Sequence, residues 1–456
     1  MKNPALACLC LTMLMPSLDT SIANASLPAL AHALGASFAQ VQWVVLAYLL
    51  AITSLIVGTG RLGDLLGRGR LLGAGVALFT LASLLCGLAP TLATLVAARA
   101  LQGVGAAAML ALTVALVGET MPRERTGAAM GLLGTMSAIG TTLGPSLGGV
   151  LTTALGWRAV FLVNVPIGLV NLWLARRHLP MARPAGTTRP RLDLAGTTLL
   201  ALALSSYALA ATLGRGHAAA LLGLAAAAML AFVAVERRAV APLVRLAMFR
   251  DPGLCAGLAA TAAVATSIAT TLVVGPFYLA GALALPAALV GLVLSCGPLV
   301  SALTGAPAGR LVDRVGATRM TLAGLAAMAA GALLLALLPA GIGLAGWLAG
   351  IVVLTIGYAS FQAANNTALM HGADAAQRGL VSGLLSLARN LGLVTGVAVM
   401  GAVFADGAGD VTARAPSAIV HGMHRTFALD AALLLAALAI ALAVARRSPA
   451  TRRLPV

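Results

Sequence analysis

This sequence has few charged residues. Asp, Glu, Lys and Arg make up only 9% of the 456 residues, whereas 60% are hydrophobic, and the mean hydropathy is +1.01. A domain that folds in water needs far more polar surface than this composition supplies. The composition therefore excludes a water-soluble protein and predicts an integral membrane protein.

Acidic residues are the scarcer of the two charge types. The chain has 12 Asp and Glu against 29 Lys and Arg, which gives a net charge of +17. Such an excess suggests nucleic-acid binding in a soluble protein, but cytoplasmic loops of membrane proteins are also rich in Lys and Arg. With the N-terminus in the cytoplasm, 23 of the 29 basic residues lie in inner segments, four in outer loops and two within helices. Topology thus explains the charge without a nucleic-acid partner, and both termini are predicted to be cytoplasmic.

Cysteine and histidine form no pattern typical of a reactive site. The five cysteines lie in apolar runs without a CxxC spacing, which indicates small apolar side chains rather than disulfides or metal ligands. A membrane-embedded enzyme needs a nucleophile with a base, or a His/Asp metal set at one depth, and the sequence has neither. The longest loops, about twenty residues, argue against the soluble domain of a sensor. We therefore expect no enzyme activity, no metal and no cofactor.

One charged, glycine-rich stretch occurs twice. Gly60–Arg70, GRLGDLLGRGR, returns in degraded form at Gly309–Gly316, GRLVDRVG, and a shift of 249 positions aligns the two. A shift of 252 aligns Gly131, Gly140 and Gly144 of the fifth apolar run with Gly383, Gly392 and Gly396 of the thirteenth. A charged connection that is repeated between apolar runs predicts a duplicated membrane bundle.

The number and length of the apolar runs define the predicted fold. A membrane helix needs about 20 apolar residues, and the chain has fourteen runs of about that length. The first resembles a secretion signal, but Asp19 within it and the many later runs favour an uncleaved helix. Two runs, Leu194–Gly214 and Gly216–Val235, have no counterpart in either repeat. The prediction is an all-α integral membrane protein with two six-helix bundles and an inserted helix pair, fourteen transmembrane helices in total.

The connections between these units are short and basic. The segment Ala175–Asp193, which contains the linker, has five arginines and three prolines, which is typical of a solvated segment. The segment before the second bundle mixes charges with apolar residues and is predicted to be a helix at the cytoplasmic interface. The predicted units are an N-terminal bundle at 1–178, a cytoplasmic linker at 179–193, the inserted pair at 194–235, the interfacial segment at 236–251, a C-terminal bundle at 252–446 and a cytoplasmic tail at 447–456.

Two opposite charges lie at matching depths in the first bundle. Asp19 stands nine residues before Pro28, at the outer end of helix 1, and Arg99 nine residues after Pro90, at the outer end of helix 4. At the rise of an α-helix both lie roughly 13 Å below the outer surface. An ionised carboxylate in hydrocarbon costs at least a few kcal/mol and therefore indicates a function by default. The pair is either a static ion pair that fixes helix packing or a carboxylate that binds and releases a proton.

Helix 5 carries a stripe of small residues interrupted by a proline: Gly140, Gly144, Pro145, Gly148 and Gly149. Small residues allow close helix packing in a membrane, and proline removes a backbone hydrogen bond and bends a helix. The stripe predicts a packing seam, which is either fixed or able to slide.

Polar residues in the second bundle are candidates for a central cavity. Arg389 of helix 13 lies about 15 Å from the inner face, with no acidic residue at its depth, so it either bonds to helix groups or lines an aqueous cavity. The other candidates are Asn24 of helix 1 and Tyr358, Phe361, Gln362 and Asn365 of helix 12. Interhelical hydrogen bonds are the alternative for the helix 12 amides.

The sequence resembles the fourteen-helix drug:proton antiporter branch of the major facilitator superfamily over essentially the whole chain. Five motifs occur in the expected order: LDTSIANASLP at Leu18–Pro28, GRLGDLLGRGR at Gly60–Arg70, RALQGVG at Arg99–Gly105, GTTLGPSLGG at Gly140–Gly149 and FLVNVPIG at Phe161–Gly168. The first is similar to the helix 1 signature of that branch, the second to the loop motif of the superfamily and the fourth to the antiporter motif. Leu65 and Gly69 stand where the loop motif usually has basic residues.

The resemblance implies roles for the residues above. Asp19 and Arg99 would form the proton-coupling pair, and the helix 5 glycines with Pro145 would shape the interface that opens and closes. Asp64 and Arg68 would form a charge cluster with Glu119. This cluster would contact the positive N-terminal end of helix 13 and so latch the two halves together in the outward-open state. Gly60, Asp313 and Arg314 belong to the same two copies of the loop motif.

The implied function is proton-coupled export of lipophilic small molecules by alternating access. Few deep charges and a lining of Leu, Met and occasional aromatic residues favour cationic drugs or toxic compounds. The expected partners are this substrate, the proton as coupling ion and membrane lipid, with the chain a monomer in a bacterial inner membrane. A same-fold exporter or uniporter without proton antiport, or a non-transporting sensor, is the alternative, since a fold does not dictate its function.

Overall fold

The computed structural model describes residues 4–121, 123–179, 194–212, 215–238, 246–371, 378–408 and 416–447. Within these ranges, thirteen helices are long and apolar enough to cross a membrane. The fourteenth predicted span, Arg123–Leu155, is a helix of 33 residues, which is long enough to cross, although its many Gly, Ser and Thr residues lower its hydropathy. The prediction of fourteen membrane helices is therefore confirmed.

The fourteen helices are numbered in chain order. They are α1 (Pro4–Ala25), α2 (Trp43–Leu66), α3 (Arg68–Leu88), α4 (Leu92–Thr120), α5 (Arg123–Leu155), α6 (Asn164–His178), α7 (Leu194–Thr212), α8 (Arg215–Arg238), α9 (Pro252–Phe277), α10 (Ala287–Val315), α11 (Ala317–Ala336), α12 (Gly343–His371), α13 (Arg378–Thr395) and α14 (Pro416–Arg447). A π-helical turn, Tyr278–Ala282, extends α9, and a second, Gly396–Met400, joins α13 to a helix at Gly401–Ala408. We call the side on which α1 begins the inner side and the opposite side the outer side.

Short helices fill the connections. They are Leu27–Leu34, Phe38–Val41 and Ala159–Leu162, with 3-10 turns at Leu246–Arg250 and Ala340–Ile342. Of the predicted interfacial segment at 236–251, the structure describes the end of α8, up to Arg238, and the 3-10 turn Leu246–Arg250; residues 239–245 lie outside the described residues, so the interfacial helix stays a prediction. Most of the predicted linker and tail, residues 180–193 and 448–456, also lies outside them.

The repeated loop motif has the same backbone in both copies. Gly67 ends α2 and Gly316 ends α10, and both have a φ of 93°. Glycine suits this position because side chains disfavour positive φ. Each N–H still bonds to the carbonyl four residues earlier, at 3.0 Å for Gly67 and 2.9 Å for Gly316. The motif is thus a helix stop that is used once in each bundle.

The duplication extends to side-chain packing. A Cβ atom at Gly140 of α5 would meet the backbone oxygen of Leu14 on α1 at 2.8 Å, and one at Gly392 of α13 would meet that of Ala262 on α9. Leu14 and Ala262 differ by 248 positions, close to the 252 between the two glycines. The same close helix crossing, which only glycine permits, therefore occurs once in each bundle.

The two bundles meet most closely where α5 crosses α10. A Cβ atom at Gly291 of α10 would meet the carbonyl of Pro145, and the backbone N–H of Ser146 donates to Ser295 Oγ at 3.1 Å. These residues lie in the outer parts of both helices. The α5 stripe therefore packs against the opposite bundle on the outer side.

Aromatic rings close the same side. Phe38, just before α2, lies between Phe277 at the end of α9 and Phe404 beyond α13, with ring centroids 4.7 and 5.1 Å away. Nearby, the Gln42 amide donates to the carbonyl of Val397 at 2.9 Å. Within the described residues, the hydrogen bonds and ring contacts that join the two bundles therefore lie on the outer side. These contacts close that side of the protein.

The inserted pair packs at one edge, where the bundles adjoin. α7 and α8 contact each other, and α7 also contacts α2 of the first bundle. On the other side, the Tyr207 hydroxyl of α7 lies 3.2 Å from Thr395 Oγ1 of α13. The side chains of α8 are mostly exposed, as expected of a helix that faces lipid.

Candidate functional site

Asp19 and Arg99 are in direct contact. Asp19 on α1 is 1% exposed and Arg99 on α4 is fully buried, with the Nη1 atom of Arg99 2.5 Å from Asp19 Oδ2. Their equal depth suggested this pairing, and the structure supplies the adjacency that depth alone left open. At such burial an unpaired charge of either sign would be strongly unfavourable, so each residue stabilises the charged form of the other.

Two amides complete the shell around the Asp19 carboxylate. Gln102 Nε2 on α4 and Asn164 Nδ2 on α6 each donate to Oδ1 at 2.8 Å. With Arg99, the carboxylate accepts three hydrogen bonds from groups that can only donate at those atoms. This arrangement suits the ionised carboxylate, because two N–H donors occupy Oδ1 and the positive guanidinium binds Oδ2.

The guanidinium is held from several sides. Arg99 Nε donates to the Val44 carbonyl at 2.8 Å, and Nη1 also donates to Gln102 Oε1 at 2.6 Å. Its central carbon lies 4.2 Å from the ring centroid of Tyr48 and 5.7 Å from that of Phe161. Cation–π contacts of this kind stabilise a desolvated guanidinium. Nη2 has no hydrogen-bond partner within the described part of the chain.

Sequence reasoning assigned no role to Gln102, Asn164 or Tyr48. Gln102 lies one helical turn after Arg99, a spacing that puts both on one face of α4. Asn164 is the polar residue within FLVNVPIG, and its position in an apolar run was the available signal. Tyr48 had no distinguishing pattern.

The small-residue stripe of α5 lies between α1 and the opposite bundle. A Cβ atom at Gly144 would meet Ser21, two residues beyond Asp19, and one at Gly148 would meet Ile22 O at 3.2 Å. On the other face, a Cβ atom at Gly149 would meet Ala288 Cα at 3.0 Å on α10. A movement of α10 past α5 would therefore act on the segment of α1 that carries Asp19.

A cavity in the second bundle brings together three of the predicted lining residues. Tyr358 and Gln362 of α12 and Arg389 of α13 line it, with Thr261 of α9 as a further polar residue. Its apolar wall consists of Val264, Ala265, Ile268 and Leu393. Arg389 is exposed, although it lies in the middle of a membrane helix.

Three other predicted lining residues are buried instead. Phe361 is 1% exposed within the core of the second bundle, and Asn24 is 3% exposed with its amide bonded to the Thr20 carbonyl at 2.9 Å. Asn365 is 4% exposed and donates to Thr261 Oγ1 at 2.9 Å. For Asn365 the alternative of an interhelical hydrogen bond is therefore the correct one.

The predicted latch is described only in part. Arg68 Nη1 lies 2.8 Å from Glu119 Oε1, which joins α3 to α4 within the first bundle. Asp313 and Arg314, at the inner end of α10, are exposed, and Gly60 lies within α2. The side chains of Asp64 and of the first three residues of α13 lie outside the described residues, so a latch between the bundles stays a prediction.

A second buried carboxyl group lies in the C-terminal bundle. Asp430 on α14 is fully buried and accepts a hydrogen bond from Ser267 Oγ on α9 at 2.7 Å. Its other oxygen has no partner within the described part of the chain. The 248-position shift between α1 and α9 aligns Asp19 with Ser267. Within the described residues, each bundle therefore has a buried carboxyl group at the depth of Asp19. It lies on α1 in the first bundle and on α14 in the second.

The fold and this arrangement define a transporter built from two six-helix halves. The sequence pattern of the Major Facilitator Superfamily matches residues 9–397 and, in a second match, residues 254–456. The chain belongs to the major facilitator superfamily.

Named relatives of the chain are also transporters or resistance proteins. It is 32% identical over 410 residues to the multidrug resistance protein Stp of Mycobacterium tuberculosis, a match that covers 87% of this chain and 74% of Stp. It is 29% identical over 400 residues to the riboflavin transporter RibZ of Clostridioides difficile, covering 87% of each. The fold resembles the inward-facing, unoccupied crystal structure of a bacterial homologue of the human lysosomal transporter Spinster, with a TM-score of 0.70, 15% identity and 98% of each chain covered.

Proposed function

We propose that this protein exports lipophilic small molecules from the cytoplasm in exchange for protons. The observation that carries the proposal is the Asp19 carboxylate, which is buried and held by three N–H donors while the outer side of the protein is closed. A buried ion pair gives little net stability, because desolvation of the two charges offsets their attraction. Its presence inside a membrane protein therefore favours a functional use of the charge, and proton transport is such a use.

The proton and Arg99 compete for the same carboxylate. In the outward-open state Asp19 is protonated from outside, which removes the charge that holds Arg99. When the outer side closes, Arg99 and the two amides bind the carboxylate again, and the proton leaves to the cytoplasm. The arrangement with Asp19 paired and the outer side closed is therefore the state after proton release.

The α5 stripe connects this event to the other bundle. α5 packs on α1 next to Asp19 and on α10 across the bundle interface. A change in the position of α1 against α5 is thereby transmitted to the outer contact between Pro145 and Gly291. The central cavity then opens to one side at a time.

The energy available from one proton is sufficient for useful export. One charge that crosses a potential of about 100 mV supplies about 2.3 kcal/mol. At about 1.4 kcal/mol per decade of concentration, this sustains somewhat under two decades of gradient of an uncharged substrate. The name of Stp, a multidrug resistance protein, supports drugs or toxic compounds as substrates, and that of RibZ a flavin-like metabolite. The cationic class stays a prediction from the sequence.

Uptake into inside-out bacterial membrane vesicles tests the proposal. The probes are ethidium, a lipophilic cation, and 1-anilinonaphthalene-8-sulfonate, a lipophilic anion, each with an imposed proton gradient. We expect uptake of at least one probe to collapse when the gradient is dissipated and to be lost in Asp19→Asn. Asp406→Asn is the matched control, because Asp406 is an exposed acid near the outer end. Gradient-driven uptake that survives in Asp19→Asn contradicts the proposal, and uptake independent of the gradient favours a uniporter.

A further inference from the structure

Arg389 is a free cation inside the membrane. It lies eleven residues after the start of α13, about 16 Å from the inner end, and it is exposed. Within the described part of the chain it forms no hydrogen bond and no ion pair, in contrast to Arg99. A guanidinium at that depth against lipid is costly, whereas one that faces an aqueous cavity is hydrated. Arg389 lines a small cavity of about 20 Å³ between α9, α12 and α13, which has room for about one water molecule.

Two further donors without partners face the same cavity. The Tyr358 hydroxyl and the Gln362 amide form no hydrogen bond within the described residues, and both line the cavity with Arg389. They stand four residues apart on α12, which puts them on one face of the helix. The rest of the lining is apolar and includes Ile268 of α9 and Leu393 of α13. A few converging polar groups against an apolar wall are typical of a small-molecule site.

No carboxylate of the described residues balances this cation. Asp19 is buried and paired with Arg99, and Asp430 is buried against Ser267. Asp406, beyond α13 on the outer side, pairs with Arg425. The charge that the described residues present to the cavity is therefore positive.

We propose that the Arg389 cavity binds the acidic group of a lipophilic substrate, such as a carboxylate or sulfonate. The guanidinium fork matches the two oxygens of such a group in a bidentate pair. Tyr358 and Gln362 donate to the remaining oxygen lone pairs. The cavity of about 20 Å³ has room only for the acidic group, so it must widen along Ile268 and Leu393 to take the apolar body. This inference rests on the proposed export function and assigns it amphipathic organic acids rather than the cations predicted from the sequence.

Binding of two probes that share a naphthalene ring system and carry opposite charges tests the site directly. We would titrate the full-length protein in lipid nanodiscs with 2-naphthalenesulfonate and with 2-naphthylmethylammonium by calorimetry, with empty nanodiscs as the blank. Wild type is expected to bind the sulfonate at least tenfold more tightly than the ammonium. Arg389→Gln should lose that preference, and Arg389→Glu should reverse it. A gain of ammonium binding in Arg389→Glu cannot result from misfolding.

Two further variants make the outcome specific. Arg425→Gln removes an exposed arginine outside the cavity and should leave both affinities unchanged. Asp19→Asn should keep the sulfonate affinity while losing export. Wild type that binds the sulfonate normally but exports nothing would contradict the export function and leave the binding site intact. Tighter binding of the ammonium by wild type, no binding of either probe, or equal sulfonate binding by wild type and Arg389→Glu would overturn the inference.

Discussion

Asn164 donates its amide to Asp19 Oδ1 at 2.8 Å, and this bond ties α6 to the carboxylate proposed to carry the proton. One and a half to two turns later on the same helix, Asn171 donates to Thr12 Oγ1 of α1 at 3.0 Å. The two asparagines join the same pair of helices. Only the first touches Asp19, and this makes the second a matched control.

We expect Asn164→Leu to uncouple transport from the proton gradient. The change removes one donor from a buried carboxylate, a loss that typically costs about 1–3 kcal/mol. Asn171→Leu also removes a buried hydrogen bond between α6 and α1, so a comparable loss of thermal stability is expected. Gradient-driven uptake should fall at least tenfold in Asn164→Leu and remain near wild type in Asn171→Leu. Equal losses in both would indicate that Asn164 only fixes packing.

Gly144→Leu should separate α1 from α5. Backbone atoms of Ile22 and Leu18 would lie 3.1 and 3.2 Å from the new Cβ atom, and backbone cannot yield as a flexible side chain does. Overpacking of this kind typically costs about 1–3 kcal/mol. The control is Gly134→Leu on the same helix, where nothing lies within 4 Å of an added Cβ. We expect a lower midpoint of thermal unfolding and loss of transport for Gly144→Leu alone; similar midpoints in both variants would contradict the packing described for the stripe.

A disulfide across the bundle interface should lock the outer side closed. Ser146 N and Ser295 Oγ are 3.1 Å apart, so cysteines at these two positions are within reach of each other. In a background without the five native cysteines, oxidation of Ser146→Cys/Ser295→Cys is expected to stop transport, and reduction to restore it. The single-cysteine variants should transport under both conditions. Undiminished transport by the oxidised, cross-linked protein would rule out movement at this contact during the cycle.

The charge of the substrate should determine how transport depends on voltage. If one proton enters while one singly charged acid leaves, two positive charges move inward per cycle. A monovalent cation exchanged for one proton moves no net charge. In proteoliposomes with potassium and valinomycin, we therefore expect an inside-negative potential to accelerate export of 2-naphthalenesulfonate at equal pH on both sides. A rate independent of the potential would contradict the exchange of an acid for a proton.

Much of the fold could be predicted, because it follows from the lengths of the apolar runs and from their repetition along the chain. Fourteen apolar runs and two spaced repeats require no knowledge of how the helices pack. The depth of Asp19 and Arg99 also follows from counting residues along each helix, and this suggested the pair, although the contact itself required the structure. Gln102 and Asn164 could not be assigned in this way, because an amide in an apolar run can satisfy its hydrogen bonds with many neighbours.

The cavity shows what counting along a helix leaves undetermined. Tyr358 and Gln362 are four residues apart on α12, as are Phe361 and Asn365, so the sequence contains two candidate faces. The first face lines the cavity, and the second is buried against neighbouring helices. The rotation of α12 about its axis decides between them, and this rotation depends on packing with α9 and α11. For the same reason the exposed position of Arg389 could not be derived from its depth.

Proton movement measured during transport tests the central claim most directly. Purified protein would be reconstituted into liposomes that contain the pH-sensitive dye pyranine, and transported substrate would be added to one side in the absence of any other gradient. The account predicts a substrate-dependent pH change inside the liposomes with wild type, and none with Asp19→Asn. An equal pH change with Asp19→Asn would show that the proton travels by another route and would reduce Asp19 and Arg99 to a structural ion pair.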